Sequence, residues 1–208
     1  MRPAPLQRHD RLRLPVPMMA AGSRQGAPPL ESDAELWERG DRAAFSALFE
    51  RHAEAVWNHA YRLTASWALA EDLTSSVFLT AWRKRAEVTL VRDSALPWLY
   101  SVAGNLARTE FRRVGRFRRA LLRVPSPGVV PDHAEHVASA VDGERSLKRV
   151  LALLETMPKA EREAVELCLL GELGTAEAAE LLGVAEVSVR SRISRARARL
   201  RAGAEEVR

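Results

Sequence analysis

The chain has 208 residues and a formal net charge of +5. That allows one medium domain or two small ones, and the basic balance favours a polyanionic partner such as nucleic acid. Cys168 is the only cysteine, which excludes an intramolecular disulfide and any multi-cysteine metal site and fits a reducing cytoplasm; no apolar run approaches the ~18 residues of a membrane span.

Residues 1–30 are basic and interrupted by Pro3, Pro5, Pro15, Pro17, Pro28 and Pro29. They lack the unbroken apolar core of a signal peptide and are expected to be a disordered tail. Met18 and Met19 are alternative starts to Met1. Ser32 and Glu35 then form an S-x-x-E capping box, opening a short helix that stops at Gly40. Asp41 caps a longer helix, in which Phe45, Leu48, Phe49, His52, Val56, Ala60 and Leu63 recur at three-to-four spacing until about Thr64. Ser66 caps a third, with Leu69, Leu73, Val77 and Ala81 as its apolar row and Lys84 and Arg85 in the last turn.

Pro97 suits the first turn of a fourth helix. Leu99, Val102, Ala103, Leu106 and Glu110 share one side of it; Asn105, Arg108, Thr109, Arg112 and Arg116 share another. Gly104 inside this helix costs about 1 kcal/mol relative to alanine, so packing is expected to hold it. From about Ala120 to Gly143 the periodicity dissolves around Pro125, Pro127, Gly128 and Pro131, which reads as a linker. A second periodic block begins near Glu144 with Leu147, Val150, Leu151 and Leu154, and a helix from Pro158 closes at Gly171. No strand or hairpin signal appears. The fold class is all-α: residues 31–119 and 144–203 form two small helical domains, flexibly joined through 120–143.

The stretch "VSVRSRISRARARLR", Val187–Arg201, alternates like a half-buried strand. As a strand it would mix core residues and arginines on one face. As a helix it places Val189, Ile193, Ala196 and Leu200 on one apolar stripe and the arginines elsewhere. Before it, "TAEAAELLG" supplies a short helix and Gly183 a left-handed turn, the spacing of a helix-turn-helix. The second helix of such a unit enters the DNA major groove with its N-terminal residues, here Glu186, Val187, Ser188, Arg190, Ser191 and Arg192. Arginine pairs bidentately with guanine, and serine meets bases or phosphate. Arg195 and Arg199 lie further along and suit phosphates.

Two blocks carry a family resemblance. "AFSALFERHAEAVWNHAYRLTASWALAEDLTSSVFLTAWRK" with "LPWLYSVAGNLARTEFRR" resembles region two of bacterial sigma-70 factors. "LLETMPKAEREAVELCLLGELGTAEAAELLGVAEVSVRSRISRARARLR" resembles region four. The order, the linker and the lack of a region-three domain resemble the extracytoplasmic-function (ECF) group. The resemblance implies a transcription initiation factor. It would bind core RNA polymerase at the clamp helices of the largest subunit and at the flap, and direct it to promoter DNA. It implies that Glu71, Asp72, Leu73, Ser75 and Phe78 contact the polymerase, although the family often has Gln and an acid where this chain has Ser75 and Ser76. It implies that Asn105, Arg108, Thr109, Arg112, Arg113 and Arg116 recognise and melt the −10 element. Here the chain departs from the aspartate the family usually carries near Thr109 and Glu110. It implies that Glu186, Ser188, Arg190, Ser191, Arg192, Arg195 and Arg199 read the −35 element, and that an anti-sigma factor is a possible further partner.

Catalysis has little support. His133 and His136 lie in the linker without a carboxylate cluster, His52 and His59 read as packed histidines, and there is no glycine-rich phosphate loop. The expectation is a cytoplasmic protein, not an enzyme, without cofactor or metal. The rival readings are a stand-alone helix-turn-helix regulator that never touches polymerase and a sigma-like chain that titrates an anti-sigma factor.

Overall fold

The Ser32 hydroxyl accepts from the Glu35 amide at 3.2 Å, and the Glu35 carboxylate accepts from the Ser32 amide at 2.7 Å. This reciprocal cap starts α1 (Asp33–Arg39), and Gly40, at φ +59°, ends it. The computed structural model describes residues 31–90, 92–121 and 138–205. The expectations for residues 1–30 and for most of the linker lie outside the described residues. Asp41 caps α2 (Arg42–Thr64), and Ser66 caps α3 (Trp67–Lys84). The fourth helix, α4, runs Leu96–Leu121 with Pro97 in its first turn. These four helices bury the expected rows: Leu48, Val56 and Leu63 from α2, Leu73, Val77 and Ala81 from α3, Leu99 and Ala103 from α4. Phe49, expected in the α2 row, is 43 % exposed. Trp98 packs edge-on against Trp37, as a structural residue would.

Asp33 ties three of these helices together. Its carboxylate is bonded to His52 Nε2 at 2.6 Å and to Arg51, and accepts from the Ala95 amide at 2.8 Å just before α4. Burial pushes this carboxyl up, but the bonds from His52 and Ala95, the His52 charge and the bond from Arg51 outweigh it and hold the group at about 2. A depressed carboxylate stabilises the fold above its unfolded value and loses that contribution as pH falls through the folded one. Asp33→Asn is therefore expected to cost about 2 kcal/mol at pH 7. Thermal melts should show the gap to the unsubstituted chain closing between about pH 4 and pH 2.

The second half starts with α5 (Ala138–Thr156), which begins several residues before the expected Glu144. Then come α6 (Lys159–Val165) and a single π-helical turn, Glu166–Leu170, closed by Gly171. The helix-turn-helix follows as α7 (Thr175–Leu182), Gly183 at φ +63°, and α8 (Glu186–Glu205). The arginine-rich stretch is thus helical, with Val189, Ile193 and Ala196 buried. Fully burying Val189 alone contributes about 1.5–3 kcal/mol. Val165, Leu154 and Met157 pack against Ala196, with Leu200 at the edge. No strand occurs among the described residues.

The two helical halves touch in this structure. The described residues from Glu31 onward form one unit, in which α4 packs on the π turn and α7. Two glycines make the approach close. A Cβ on Gly104 would lie 3.1 Å from Glu166 Oε2, and one on Gly171 would lie 2.9 Å from Tyr100 Cδ2. Gly104 is thus held in α4 by the second half of the chain, which offsets its low helix propensity.

Candidate DNA and polymerase interfaces

On α3, Glu71, Asp72 and Ser75 are exposed along one edge. Leu73 and Phe78 are not: they are 7 % and 4 % exposed and belong to the core. Their assignment as contact residues is corrected, because Leu73 continues the buried row of Val77 and Phe78 is enclosed by Phe45 and Phe49. What they do is fix the edge that carries the acids. The apolar surface beside it comes from Leu79, 48 % exposed, and Phe49. Neither was singled out as a contact. A helical repeat such as the one containing Phe49 specifies a stripe without specifying how far the neighbouring helix covers it.

On α4, Asn105, Thr109, Arg112, Arg113 and Arg116 are exposed. Asn105 and Arg108 are one turn apart, and Arg108 Nη2 donates to Asn105 Oδ1 at 2.6 Å. Arg113 is held by Glu110 at 2.7 Å on the adjacent face. Arg108 differs from the rest. Its side chain is only 17 % exposed, its Nη1 is bonded to Glu166, and its Nη2 lies 3.8 Å from Glu163. Burial pushes the Glu166 carboxyl up against the pull of this guanidinium. The pairing is a clasp between the two halves. Arg62 adds to it by donating to the Leu170 carbonyl at 2.8 Å, and Arg92 by donating to Glu180 at 2.7 Å. Beneath it, His59 stacks on Tyr100 with ring centroids 4.1 Å apart. Burial lowers this imidazole to about 4, so it is neutral near pH 7 and a packed histidine, not an acid–base group. A groove of about 550 Å³ opens beside the clasp, lined by Asn105, Phe111 and Arg112 from α4 and by Leu151, Lys159 and Arg162 opposite.

On α8, Ser188, Arg190 and Ser191 are exposed at the N-terminal end, while Glu186 and Arg192 are half-buried. The Glu186 carboxylate accepts from Thr175 Oγ1 at 2.5 Å and from Arg190 Nη2 at 2.7 Å. Through Oε1 it braces α8 on α7. Arg195 and Arg199, expected as phosphate ligands, both pair with the buried Glu161, at 2.9 and 3.0 Å. Each side chain nevertheless remains more than half exposed.

The structure thus separates three surfaces in chain order: an acidic edge on α3, an asparagine–arginine stripe on α4, and a small-residue and arginine end on α8. Residues 48–117 match the family model for sigma-70 region 2, and residues 147–200 match that for sigma-70 region 4. Together they cover more than half of the chain. The SigM ECF RNA polymerase sigma factor of Mycobacterium tuberculosis is 33 % identical over 173 residues, which cover 81 % of this chain and 83 % of SigM. The chain is an ECF sigma factor of the sigma-70 family.

SigE of Mycolicibacterium smegmatis, another ECF sigma factor, is 34 % identical to this sigma factor over 171 residues, 78 % of this chain and 63 % of SigE. SigL of M. tuberculosis is 29 % identical over 167 residues, 80 % of this chain and 92 % of SigL. Among solved structures the fold resembles CnrH in complex with the cytosolic domain of CnrY, with a TM-score of 0.56 at 24 % identity over 84 % of this chain and 97 % of that one. It also resembles the sigma factor RpoE of Bartonella quintana in complex with the anti-sigma factor NepR, with a TM-score of 0.51 at 24 % identity over 79 % and 98 %. No helix of the sigma factor is long and apolar enough to cross a membrane among the described residues.

Proposed function

We propose that this sigma factor binds core RNA polymerase through the α3 edge, opens the −10 element with α4 and reads the −35 element with α8. The observation that carries the reading is the division of exposed polar side chains among three helices in the order of regions two and four. Glu71, Asp72 and Ser75, flanked by Leu79 and Phe49, form the polymerase contact. Asn105 offers a donor and an acceptor to an unstacked base. Thr109 stands beside it, and Arg108, Arg112, Arg113 and Arg116 neutralise the strand's phosphates. Ser188, Arg190, Ser191 and Arg192 face base edges, while Arg195 and Arg199 meet phosphates. Residues 31–119 and 144–203 serve as the two functional domains, with 120–143 between them.

Its mechanism is binding, not bond chemistry, and its place of action is the cytoplasm, where polymerase is. The Arg108 side chain is only 17 % exposed and its Nη1 is held by Glu166, so its full use on phosphate calls for the two halves to part at the clasp. An anti-sigma factor is a natural further partner, as it is for the Bartonella protein. Run-off transcription with core polymerase and a library of candidate promoters tests the reading. Promoter-dependent transcripts are expected only when the sigma factor is added. DNA binding without any transcript would favour the stand-alone regulator instead.

A further inference from the structure

Val187 is the most exposed large apolar residue among those described, at 73 %; the next, Leu79, is at 48 %. It is the second residue of α8, at the end that enters the major groove in the reading above. Its surroundings are unusually open for a side chain in that place. Ser188 beside it and Ser191 one turn on are both exposed and small. Two of the polar side chains there, Glu186 and Ser191, already make hydrogen bonds. Glu186 is held by Thr175 and Arg190, and the Ser191 hydroxyl accepts from Arg195 Nη1 at 2.6 Å. Behind Val187, Val189 is fully buried and fixes the helix axis against the domain. The leading end of α8 therefore presents an exposed aliphatic group beside two small, exposed serines.

Base edges in the major groove offer hydrogen-bond donors and acceptors, with one apolar exception, the C5-methyl group of thymine. An isopropyl group has no means of reading the others. We propose that Val187 reads the methyl group of one thymine in the −35 element. The inference rests on the placement of α8 in the groove and adds to it a specificity-determining contact.

The test exploits deoxyuridine, which differs from thymidine by that methyl group alone. Holoenzyme reconstituted from the full chain and core polymerase is used to select duplexes from a library randomised across the −35 region. Each thymine of the selected sequence is then replaced singly by deoxyuridine, and affinity is measured for the unsubstituted chain, Val187→Ala and Val187→Ile. One replacement is expected to weaken the unsubstituted chain and Val187→Ile about fourfold, the equivalent of one buried methyl group. Val187→Ala is expected to bind the two duplexes equally at that position. Insensitivity to every replacement, or the same loss in Val187→Ala, overturns the contact while leaving α8 in the groove. A library that enriches no −35 sequence overturns the groove placement itself, and the contact with it.

Discussion

Glu166→Gln is expected to raise the affinity of the free sigma factor for a single-stranded −10 oligonucleotide by about 5- to 100-fold. The substitution keeps the shape of the side chain and removes the charge that Arg108 faces. Arg108 then keeps the neutral Asn105 amide oxygen at 2.6 Å, and its nearest remaining charge is Glu163 at 3.8 Å, a longer and weaker ion pair. Taking one partner from a largely buried ion pair costs up to 3–5 kcal/mol, because the other charge stays desolvated. Here the arginine can escape that cost by moving into solvent as the halves part. Part of the penalty therefore becomes a shift from closed to open chains. A shift of about 1–3 kcal/mol raises the open fraction by the stated factor, and apparent affinity rises with that fraction. Small-angle X-ray scattering should show a larger radius of gyration in the variant. Equal radius and equal DNA affinity in both proteins would remove the clasp as a barrier to strand capture.

Asp72→Arg is expected to abolish co-purification with core polymerase, a loss of about 30-fold or more in affinity. Asp72 is exposed and makes no ion pair among the described residues, so its reversal should leave the fold within about 0.5 kcal/mol of the original. Placing a like charge across an interface built for the opposite sign costs several kcal/mol. Leu73→Ala is the informative comparison. Leu73 is buried, so its truncation should act through stability, at about 2–5 kcal/mol. Retained association of Asp72→Arg with polymerase would move the contact off the α3 edge.

The helices were legible because their signals are local. Ser32, Asp41 and Ser66 cap within three residues of themselves, and Gly40 and Gly183 end their helices through their own backbone angles. The apolar stripe of α8 outweighed its deceptive alternation for the same reason. The contact surfaces were less legible because they depend on distant partners. Nothing near Arg108 in the sequence announces Glu166, 58 residues on, and Arg195 meets Glu161 across 34 residues. A charged side chain reads the same whether it is free for phosphate or already bonded. Leu73 and Phe78 show the converse: a family motif locates a helix edge, but motif residues that support the edge and those that form it are adjacent and look alike. Gly104 lay between these cases. Its helix-breaking cost was visible, and the carboxylate that accounts for it was not.

Arg108 and Glu166 belong to one chain, so under the proposed role of α4 the clasp would be a built-in competitor for DNA. An intramolecular partner acts as though present at an effective concentration on the order of millimolar. A free strand at micromolar concentration competes poorly with it. A strand already fixed on the same polymerase, downstream of a duplex held by α8, competes on the same intramolecular footing. The ion pair would then do more than hold two domains together: it would make strand capture conditional on assembly, sparing this basic protein from single-stranded nucleic acid it meets alone.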